Sequence, residues 1–280
     1  MVFAVKEHLI QSETSPVGFV RSPNVGGKLT PRFLVIHYTA SGPNSNIAAY
    51  FANPAHKVSA HLVIRRDGSV NQCVPFNAIA WHAGDSQWRG SDGKTYVGLN
   101  KHSIGIEIEN WGPLQQASNG WLSWTGAPVD QSKGIEARHR FGTPNCGWEV
   151  YTEAQIEATI EVARAICAAY KIDEIVGHDD ISPGRKSDPG PAWNMGSFRA
   201  KVMGRDSTGD GSFVVSSPTG LNIRSGPGSE HPLVRDKPLP DGTRVMVHEA
   251  NGKWRFVSVA NAAGNADFTG WVHGDWLRAA

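Results

Sequence analysis

The pattern of apolar and polar residues predicts several strands in the first part of the chain. The segment FLVIHYTA (33–40) begins with four apolar residues and then turns polar, as a buried strand does at the end of a sheet. His37 is therefore expected where that strand leaves the sheet. The segment HLVIRRDGSVNQCV (61–74) predicts two strands joined by a tight turn at Asp67 and Gly68. A hairpin of this kind makes the predicted sheet mixed.

A third strand signal comes from the segment SIGIEIEN, which alternates strictly. The alternation places Ile104, Ile106 and Ile108 on one face of a strand. Glu107 and Glu109 share the opposite face, so two carboxylates point the same way. Either could serve as a general base, and we favour Glu107 because Glu109 stands at the end of the strand.

One long helix is predicted after these strands. Thr152 followed by Gln155 forms a capping-box pattern, and the apolar residues behind it recur at helical spacing. This helix leads through a short apolar strand into the loop GHDDISPGRKSDPGP (177–191). The preceding residues 112–150 show little periodicity, which predicts an irregular insertion with one short helix around 133–140.

The composition changes after the first two hundred residues. The stretch GRDSTGDGS is typical of a flexible connector, and short β-rich runs between glycine and proline turns follow it. Such runs are typical of a small all-β barrel. We therefore predict an α/β domain at 1–203, with a central mixed β-sheet flanked by helices, a linker at 204–211 and an all-β domain at 212–280.

Composition and charge exclude several classes of partner. Of the 280 residues 40% are hydrophobic and 19% are charged, and the net charge is only +1, so we expect neither a nucleic-acid partner nor membrane insertion. Three scattered cysteines indicate reduced thiols rather than a disulfide framework. The opening MVFAVKEHLIQSETS lacks the basic start and apolar run of an export signal, so we expect synthesis in the cytoplasm.

The charged loop 177–191 carries the strongest candidate chemistry. A hydrolytic zinc site needs three protein ligands and a position left for water, and His37, His178 and Asp188 could supply the ligands. Prolines and glycines in the loop would turn His178 and Asp188 back toward one ion. The residues alone leave open that His37 and His178 are only hydrogen-bonded histidines beside a solvated loop.

Five ordered segments add a family resemblance over roughly residues 20–200. FLVIHYTAS, VSAHLVIRRDGSVNQCV, AIAWHAGDSQWRG, GLNKHSIGIEIEN and GHDDISPGRKSDPGPAW resemble the zinc-dependent N-acetylmuramoyl-L-alanine amidase type 2 family, whose fold peptidoglycan recognition proteins share. The resemblance implies one Zn²⁺ bound by His37, His178 and Asp188. It also implies catalytic roles for Glu107 as the proton carrier and Lys186 as the group that stabilises the oxyanion.

Two further residues are candidates for substrate binding. His82 lies in WHAG, between tryptophan and small residues, which suits contact with a substrate. Asn100 precedes a strand and is a candidate for positioning glycan or peptide, although a turn-forming role is equally open. Trp88, Trp111, Trp121 and Trp124 could stack on sugar rings, but for each of them we favour a packing role.

The C-terminal domain has a resemblance of its own. LNIRSGPG and GWVHGDWL resemble the bacterial SH3-like family over residues 213–278, which implies attachment of an enzyme to the cell wall. Trp254, Trp271 and Trp276 could then form a cleft for a wall peptide, and the alternative is that these residues fill a small core.

Both resemblances together predict a bacteriolytic hydrolase. The expected reaction is zinc-dependent hydrolysis of the amide between N-acetylmuramic acid and L-alanine of peptidoglycan, by a phage or prophage endolysin that degrades the cell wall after release. The alternatives are a non-catalytic peptidoglycan recognition protein and a zinc peptidase that cuts wall peptides. A cytoplasmic wall-recycling amidase fits less well, because soluble fragments require no tether.

Overall fold

The computed structural model describes residues 2–141, 145–203, 212–260 and 266–279. The helices are α1 (Ile47–Ala52), α2 (Glu153–Ala169), α3 (His178–Ile181) and α4 (Met195–Met203). The strands are β1 (Phe3–Lys6), β2 (Leu9–Ser12), β3 (Val17–Phe19), β4 (Val25–Lys28), β5 (Phe33–Tyr38), β6 (Leu62–Ile64), β7 (Val70–Gln72), β8 (Ala78–Ala80), β9 (Gln87–Arg89), β10 (Thr95–Val97), β11 (Ser103–Ile108), β12 (Pro113–Ala117), β13 (Gly120–Leu122), β14 (Pro128–Val129), β15 (Gly134–Ala137), β16 (Cys146–Glu149), β17 (Glu174–Gly177), β18 (Ser212–Val215), β19 (Arg244–Asn251), β20 (Trp254–Ala260), β21 (Ala266–His273) and β22 (Leu277–Ala279).

The central sheet is mixed and has six strands in the order β17-β5-β11-β6-β7-β3. Strands β17, β5, β11 and β6 run parallel, and β7 returns antiparallel to β6 through the turn at Gly68, whose φ is 81°. This hairpin confirms the expectation for 61–74. The parallel register pairs Glu107 with His37, so both side chains leave the sheet on the same face.

The two faces of the central sheet are buried by different neighbours. Ile104, Ile106 and Ile108 are fully buried in a core that includes α2, and each such isoleucine contributes roughly 1.5–3 kcal/mol. Helix α2 begins with the predicted capping box, in which Thr152 and Gln155 exchange side-chain and backbone hydrogen bonds. The opposite face, which carries His37 and Glu107, packs on Ala83 and Leu99 nearer the start of the strands.

The prediction of a short helix around residues 133–140 is wrong. Strands β12 to β16 form a five-stranded antiparallel sheet in the order β14-β13-β12-β16-β15, and residues 134–137 are strand β15. These strands have two to five residues, too few for alternation to be recognised in the sequence. A turn at Gly126, whose φ is 80°, separates β13 from β14.

The C-terminal part is all-β, as expected. Strands β18 to β22 form a five-stranded sheet in the order β21-β20-β19-β18-β22. Its core is a set of aliphatic residues that includes Ile223, Val257 and Val272. The linker expected at 204–211 lies outside the described residues. Cys73, Cys146 and Cys167 are free thiols, as predicted, and no helix in the described ranges combines the length and apolar character needed to cross a bilayer.

Candidate metal centre and active site

Two parallel strands and one loop bring the predicted ligands together. His37 lies near the carboxyl end of β5, and His178 directly follows β17, the strand next to β5 in the sheet. Since neighbouring parallel strands end at the same edge, their last side chains meet there. The loop after α3 then folds back, and the backbone N–H of Asp179 donates to the carbonyl of Asp188 at 2.8 Å. Asp188 thereby lies beside both histidines.

Three ligand atoms converge on one point. Nδ1 of His37 lies 2.9 Å from Nδ1 of His178, and each of these nitrogens lies 2.9 Å from Oδ2 of Asp188. All three residues are buried. Two imidazole nitrogens and a carboxylate oxygen are ligands that zinc accepts, and their close approach fits a single shared ion.

The protonation state of the two imidazoles favours a cation between the three atoms. Nε2 of His178 lies 3.1 Å from the carbonyl oxygen of Ala83, which can only accept, so Nε2 carries the hydrogen of the neutral ring. Nδ1 of a neutral His178 is then a lone pair that faces the carboxylate. Burial lowers the pKa of His37 to about 4, which keeps this ring neutral as well. A proton could bridge only two of the three acceptors, whereas a metal ion satisfies all three.

His178 and Asp188 of the cluster form part of the wall of a cavity of about 540 Å³. The other residues around the cavity come from β5 and the loop after it, α1, the loops before β6 and after β8, strand β11 and the loop after α3. They are Tyr38, Thr39, Ala40, Tyr50, Phe51, Val58, Ser59, Trp81, His82, Glu107, Arg185, Lys186 and Ser187. The space is large enough for a small molecule or a peptide segment.

Glu107 lines this cavity, next to His37 on the adjacent strand. Burial and the charge of Asp188 raise the pKa of Glu107 well above its ordinary value, and Lys186 opposes the rise. Its Oε2 is buried and has no hydrogen-bond partner among the described residues. A carboxylate whose pKa is raised is a stronger base than an ordinary one, and a carboxyl group of this kind can accept and return a proton.

Glu109 is buried and ion-paired, and these contacts do not favour it as a second base beside Glu107. It is only 2% exposed, and its carboxylate lies 3.5 Å from Nε of Arg65 and accepts from the backbone N–H of Arg66. The carboxylate is therefore held in the ion pairs of the β6–β7 hairpin, and Glu109 does not line the cavity.

The two candidates for substrate binding have partners within the protein. His82 lines the cavity, but its Nδ1 lies 2.9 Å from Nε2 of His37. Oδ1 of Asn100 accepts from the backbone N–H groups of His82 and Ala83, at 3.0 and 2.7 Å. Substrate contact by His82 stays a prediction. Asn100 is not among the cavity residues. Its described contacts hold the backbone of the loop after β8.

A buried ion-pair network behind the site was missed from the sequence. A charged run such as EARHR (136–140) ordinarily lies at a solvated surface, yet His139 is buried and donates from Nε2 to Asp179 at 3.0 Å. Arg140 contacts Asp179 and Asp180 at 2.7 and 2.5 Å. The only available signal was the pair of acidic residues directly after His178, whose charges require partners when buried. The insertion thus holds the helix that carries a metal-ligand candidate.

Fold and site together define a mixed α/β domain with a buried His-His-Asp cluster at an open cavity, the arrangement of catalytic metal sites in hydrolases. Residues 27–191 match the model of a family described as N-acetylmuramoyl-L-alanine amidase. Since this match covers more than half of the chain, the chain belongs to that family.

Individual relatives are similar over the same region. The 1,6-anhydro-N-acetylmuramyl-L-alanine amidase AmpD of Salmonella typhimurium (strain SL1344) is 36% identical over 156 residues, 55% of this chain and 62% of that protein. The N-acetylmuramoyl-L-alanine amidase AmiD of Escherichia coli (strain K12) is 36% identical over 169 residues, 57% of this chain and 49% of that protein. The chain spans less than two thirds of the length of these relatives.

A solved structure also aligns with the chain. It is the complex of AmiD from Escherichia coli with the substrate anhydro-N-acetylmuramic acid-L-Ala-D-gamma-Glu-L-Lys. The alignment covers 71% of this chain and 65% of that chain, with 29% sequence identity and a TM-score of 0.43.

Proposed function

We propose that the protein is a zinc-dependent N-acetylmuramoyl-L-alanine amidase that hydrolyses the amide between the lactyl group of N-acetylmuramic acid and L-alanine in peptidoglycan. The observation that carries this proposal is the convergence of His37, His178 and Asp188 beside Glu107 at one cavity. Membership of the amidase family and the names of the relatives support the choice of substrate.

The chain supplies the rest of the chemistry from two side chains. Zinc held by His37, His178 and Asp188 would provide Lewis acidity, which activates water and polarises a carbonyl oxygen. Glu107 would take the proton of the attacking water at its unpartnered Oε2 and return it to the leaving amine of L-alanine. Lys186, which lines the same cavity, would stabilise the negative charge that develops on the carbonyl oxygen.

The C-terminal all-β part extends the proposal to the cell wall. We propose that residues 212–280 form an SH3-like domain that holds the enzyme on peptidoglycan, with 204–211 as the linker. An enzyme tethered in this way acts on the assembled wall, which fits a phage or prophage endolysin that is made in the cytoplasm and acts after release.

Identification of the products tests the proposed reaction. Purified sacculi are digested, and the new amino termini are labelled and identified. The amidase releases N-terminal L-alanine and leaves muramic acid without its peptide. New D-alanine or glycine termini would identify a peptidase instead, and retained binding without any new amine would identify a recognition protein.

The metal requirement is tested on the same samples. The purified protein should contain about one zinc per chain by elemental analysis, and treatment with a chelator should abolish release of L-alanine. Added zinc should restore it. A chelated protein with less than a tenth of its zinc but full activity would contradict zinc dependence.

A further inference from the structure

Two consecutive residues, His82 and Ala83, contact the Nε2 atoms of the two histidines among the three metal-ligand candidates. Nε2 of His37 lies 2.9 Å from Nδ1 of His82, and Nε2 of His178 lies 3.1 Å from the carbonyl oxygen of Ala83. Each imidazole therefore has its Nδ1 in the cluster and its Nε2 on the same short segment. An imidazole held at Nε2 cannot rotate its Nδ1 away from the cluster without losing that contact.

The direction of the hydrogen bond between His37 and His82 follows from the groups that contact the other side of the His82 ring. The hydroxyl of Ser103 donates to the carbonyl of Leu99 at 2.6 Å, so its oxygen acts as an acceptor toward other groups. Nε2 of His82 lies 3.4 Å from both this hydroxyl oxygen and the carbonyl of Ser103, and it therefore carries a hydrogen. Nδ1 of His82 is then an acceptor, and Nε2 of His37 must donate to it.

The same assignment fixes the hydrogen of His37. A neutral His82 with hydrogen on Nε2 leaves Nδ1 of His37 free of hydrogen. Nδ1 is the atom that lies beside His178 and Asp188.

The segment is itself held from two sides. Oδ1 of Asn100 accepts from the backbone N–H of both His82 and Ala83. Below the ring, a Cβ at Gly105 would lie 2.5 Å from Cγ of His82, so only glycine leaves room for the ring on the sheet. Neighbouring Ala83 is fully buried. The ring and its backbone thus have one position.

We propose that His82 and Asn100 are positioning residues of the cation site. His82 fixes the tautomer and the ring angle of His37, and Asn100 holds the 82–83 segment that orients both histidines. Outer partners of this kind fix metal-ligating imidazoles, and their loss commonly weakens metal binding roughly 10- to 100-fold. The inference rests on the proposed metal site, but it does not require that the substrate be peptidoglycan.

Metal affinity measured without substrate tests the proposal. The full chain is stripped of metal, and its zinc dissociation constant is determined by competition with a chromophoric chelator. His82→Ala and Asn100→Ala should each weaken zinc binding roughly 10- to 100-fold, with the larger loss for Asn100→Ala, because Asn100 supports both imidazoles. The visible spectrum of the cobalt-substituted protein should change in both variants, since the ligand geometry changes.

Conservative variants separate positioning from simple loss of packing. His82→Asn places an amide oxygen near the position of Nδ1, and Asn100→Asp keeps an oxygen acceptor, so both should bind zinc within a few-fold of the wild type. His102→Ala removes a half-buried histidine whose ring packs edge-on against Tyr96, with ring centroids 5.2 Å apart, and should leave zinc affinity unchanged. Thermal unfolding of each metal-free variant shows whether the fold is kept.

Two results would overturn the inference. The first is a folded His82→Ala protein with wild-type zinc affinity and cobalt spectrum. The second is a wild-type protein that binds neither metal. A different result would contradict the amidase proposal. A protein that binds zinc with the predicted dependence on His82 and Asn100, but releases no L-alanine, would retain the positioning roles and exclude the amidase reaction.

Discussion

His61 illustrates at the scale of one residue how the sheet uses a neutral histidine. Its Nδ1 accepts from the backbone N–H of Gly105 at 3.0 Å, and its Nε2 donates to the carbonyl of Ala78 at 3.0 Å. The ring is fully buried, and burial lowers its pKa to about 4 against the hydrogen bond to Ala78, which raises it. Both ring nitrogens of His61 thus bond to backbone groups, and neither is available to bind a metal.

The buried His61 predicts a loss of stability in acid. Its folded-state pKa lies below the unfolded value of about 6.5, so its stabilisation is complete above pH 6.5 and is lost as the pH falls toward 4. The loss is on the order of 3 kcal/mol for this group. Urea unfolding of the metal-free protein between pH 4 and 8 measures it. A His61→Gln variant should show a shallower pH dependence, and equal slopes would contradict the prediction.

The carboxylates of Glu107, in β11, and Glu109, directly after it, lead to opposite predictions. Glu107→Gln should keep zinc and the fold but lose roughly 100-fold or more of the turnover, because an amide cannot carry the proton. Glu109→Gln should keep most turnover and lower the unfolding free energy, because it weakens the ion pairs with Arg65 and Arg66. Steady-state release of L-alanine and urea unfolding measure the two effects. Normal turnover in Glu107→Gln would exclude this residue as the base.

The sequence could predict the face of a side chain in this site but not its neighbours. Alternation predicted Glu107 on the face opposite the buried isoleucines, where it lines the cavity, yet only the three-dimensional path of the β6–β7 hairpin brings the arginines onto Glu109. His82 posed the same difficulty. Its partner His37 lies 45 residues away in the chain, and no local pattern encodes such a contact.

The elements with long, regular patterns were predictable, and the insertion was not. Helix α2 has 17 residues and a capping box, and β11 has six strictly alternating residues. In both elements the spacing of apolar residues recurs often enough to be recognised in the sequence. Strands β12 to β16 are too short to repeat one. Their position depends on buried tryptophans, such as Trp121 against Gly134 and Gly147, rather than on a periodic face.

The insertion also places an aromatic residue at the edge of the cavity. Trp124 is 66% exposed, and its indole N–H donates to the carbonyl of Ala40, a cavity residue, at 2.9 Å. Among the four tryptophans considered for sugar stacking, Trp121 is buried and Trp88 and Trp111 are half-buried. The packing interpretation therefore does not hold for Trp124, and stacking of its exposed ring on a saccharide stays a prediction.

We expect Trp124→Ala to distinguish long from short substrates. A glycan strand that continues beyond the cavity should lose contact, so KM for sacculi should rise several-fold while kcat/KM for a soluble muropeptide stays within about two-fold. Phe19→Ala, at an exposed aromatic that is not a cavity residue, is the matched control. Equal effects of Trp124→Ala on both substrates would remove the assignment of a glycan contact.

At the scale of the whole molecule, the C-terminal part contacts the insertion beside the loop 177–191. Arg138 donates to the carbonyl of Ser225 at 3.1 Å, and a cavity between the two parts is lined by residues that include Arg140, Asp179 and Phe256. Truncation at residue 211 would expose this surface and disturb the network that holds α3. Single substitutions on the outer surface therefore test wall binding more cleanly than removal of the domain.

The three tryptophans proposed as a wall-binding cleft differ in exposure. Trp271 is only 7% exposed and packs on Phe256, with ring centroids 5.5 Å apart, so it belongs to the fold of the sheet. Trp254 is half-buried beside His273. Trp276 is 49% exposed, which removes the alternative that it fills the core. The exposed Trp276 is thus the residue of this set on which wall binding can be tested without unfolding the sheet.

We expect Trp276→Ala to reduce the fraction of protein that sediments with sacculi by several-fold, because it removes an exposed aromatic surface that a wall peptide or glycan could cover. The unfolding free energy should change by less than about 0.5 kcal/mol, as for other surface substitutions. Trp271→Ala is the opposite control, and should lower stability by about 3–5 kcal/mol through loss of a buried aromatic. Release of L-alanine from soluble muropeptides should be the same in Trp276→Ala and the wild type, since Trp276 does not line the catalytic cavity. Undiminished sedimentation of a folded Trp276→Ala protein would mean that the wall is bound through another surface, or that the C-terminal sheet serves only to support the insertion.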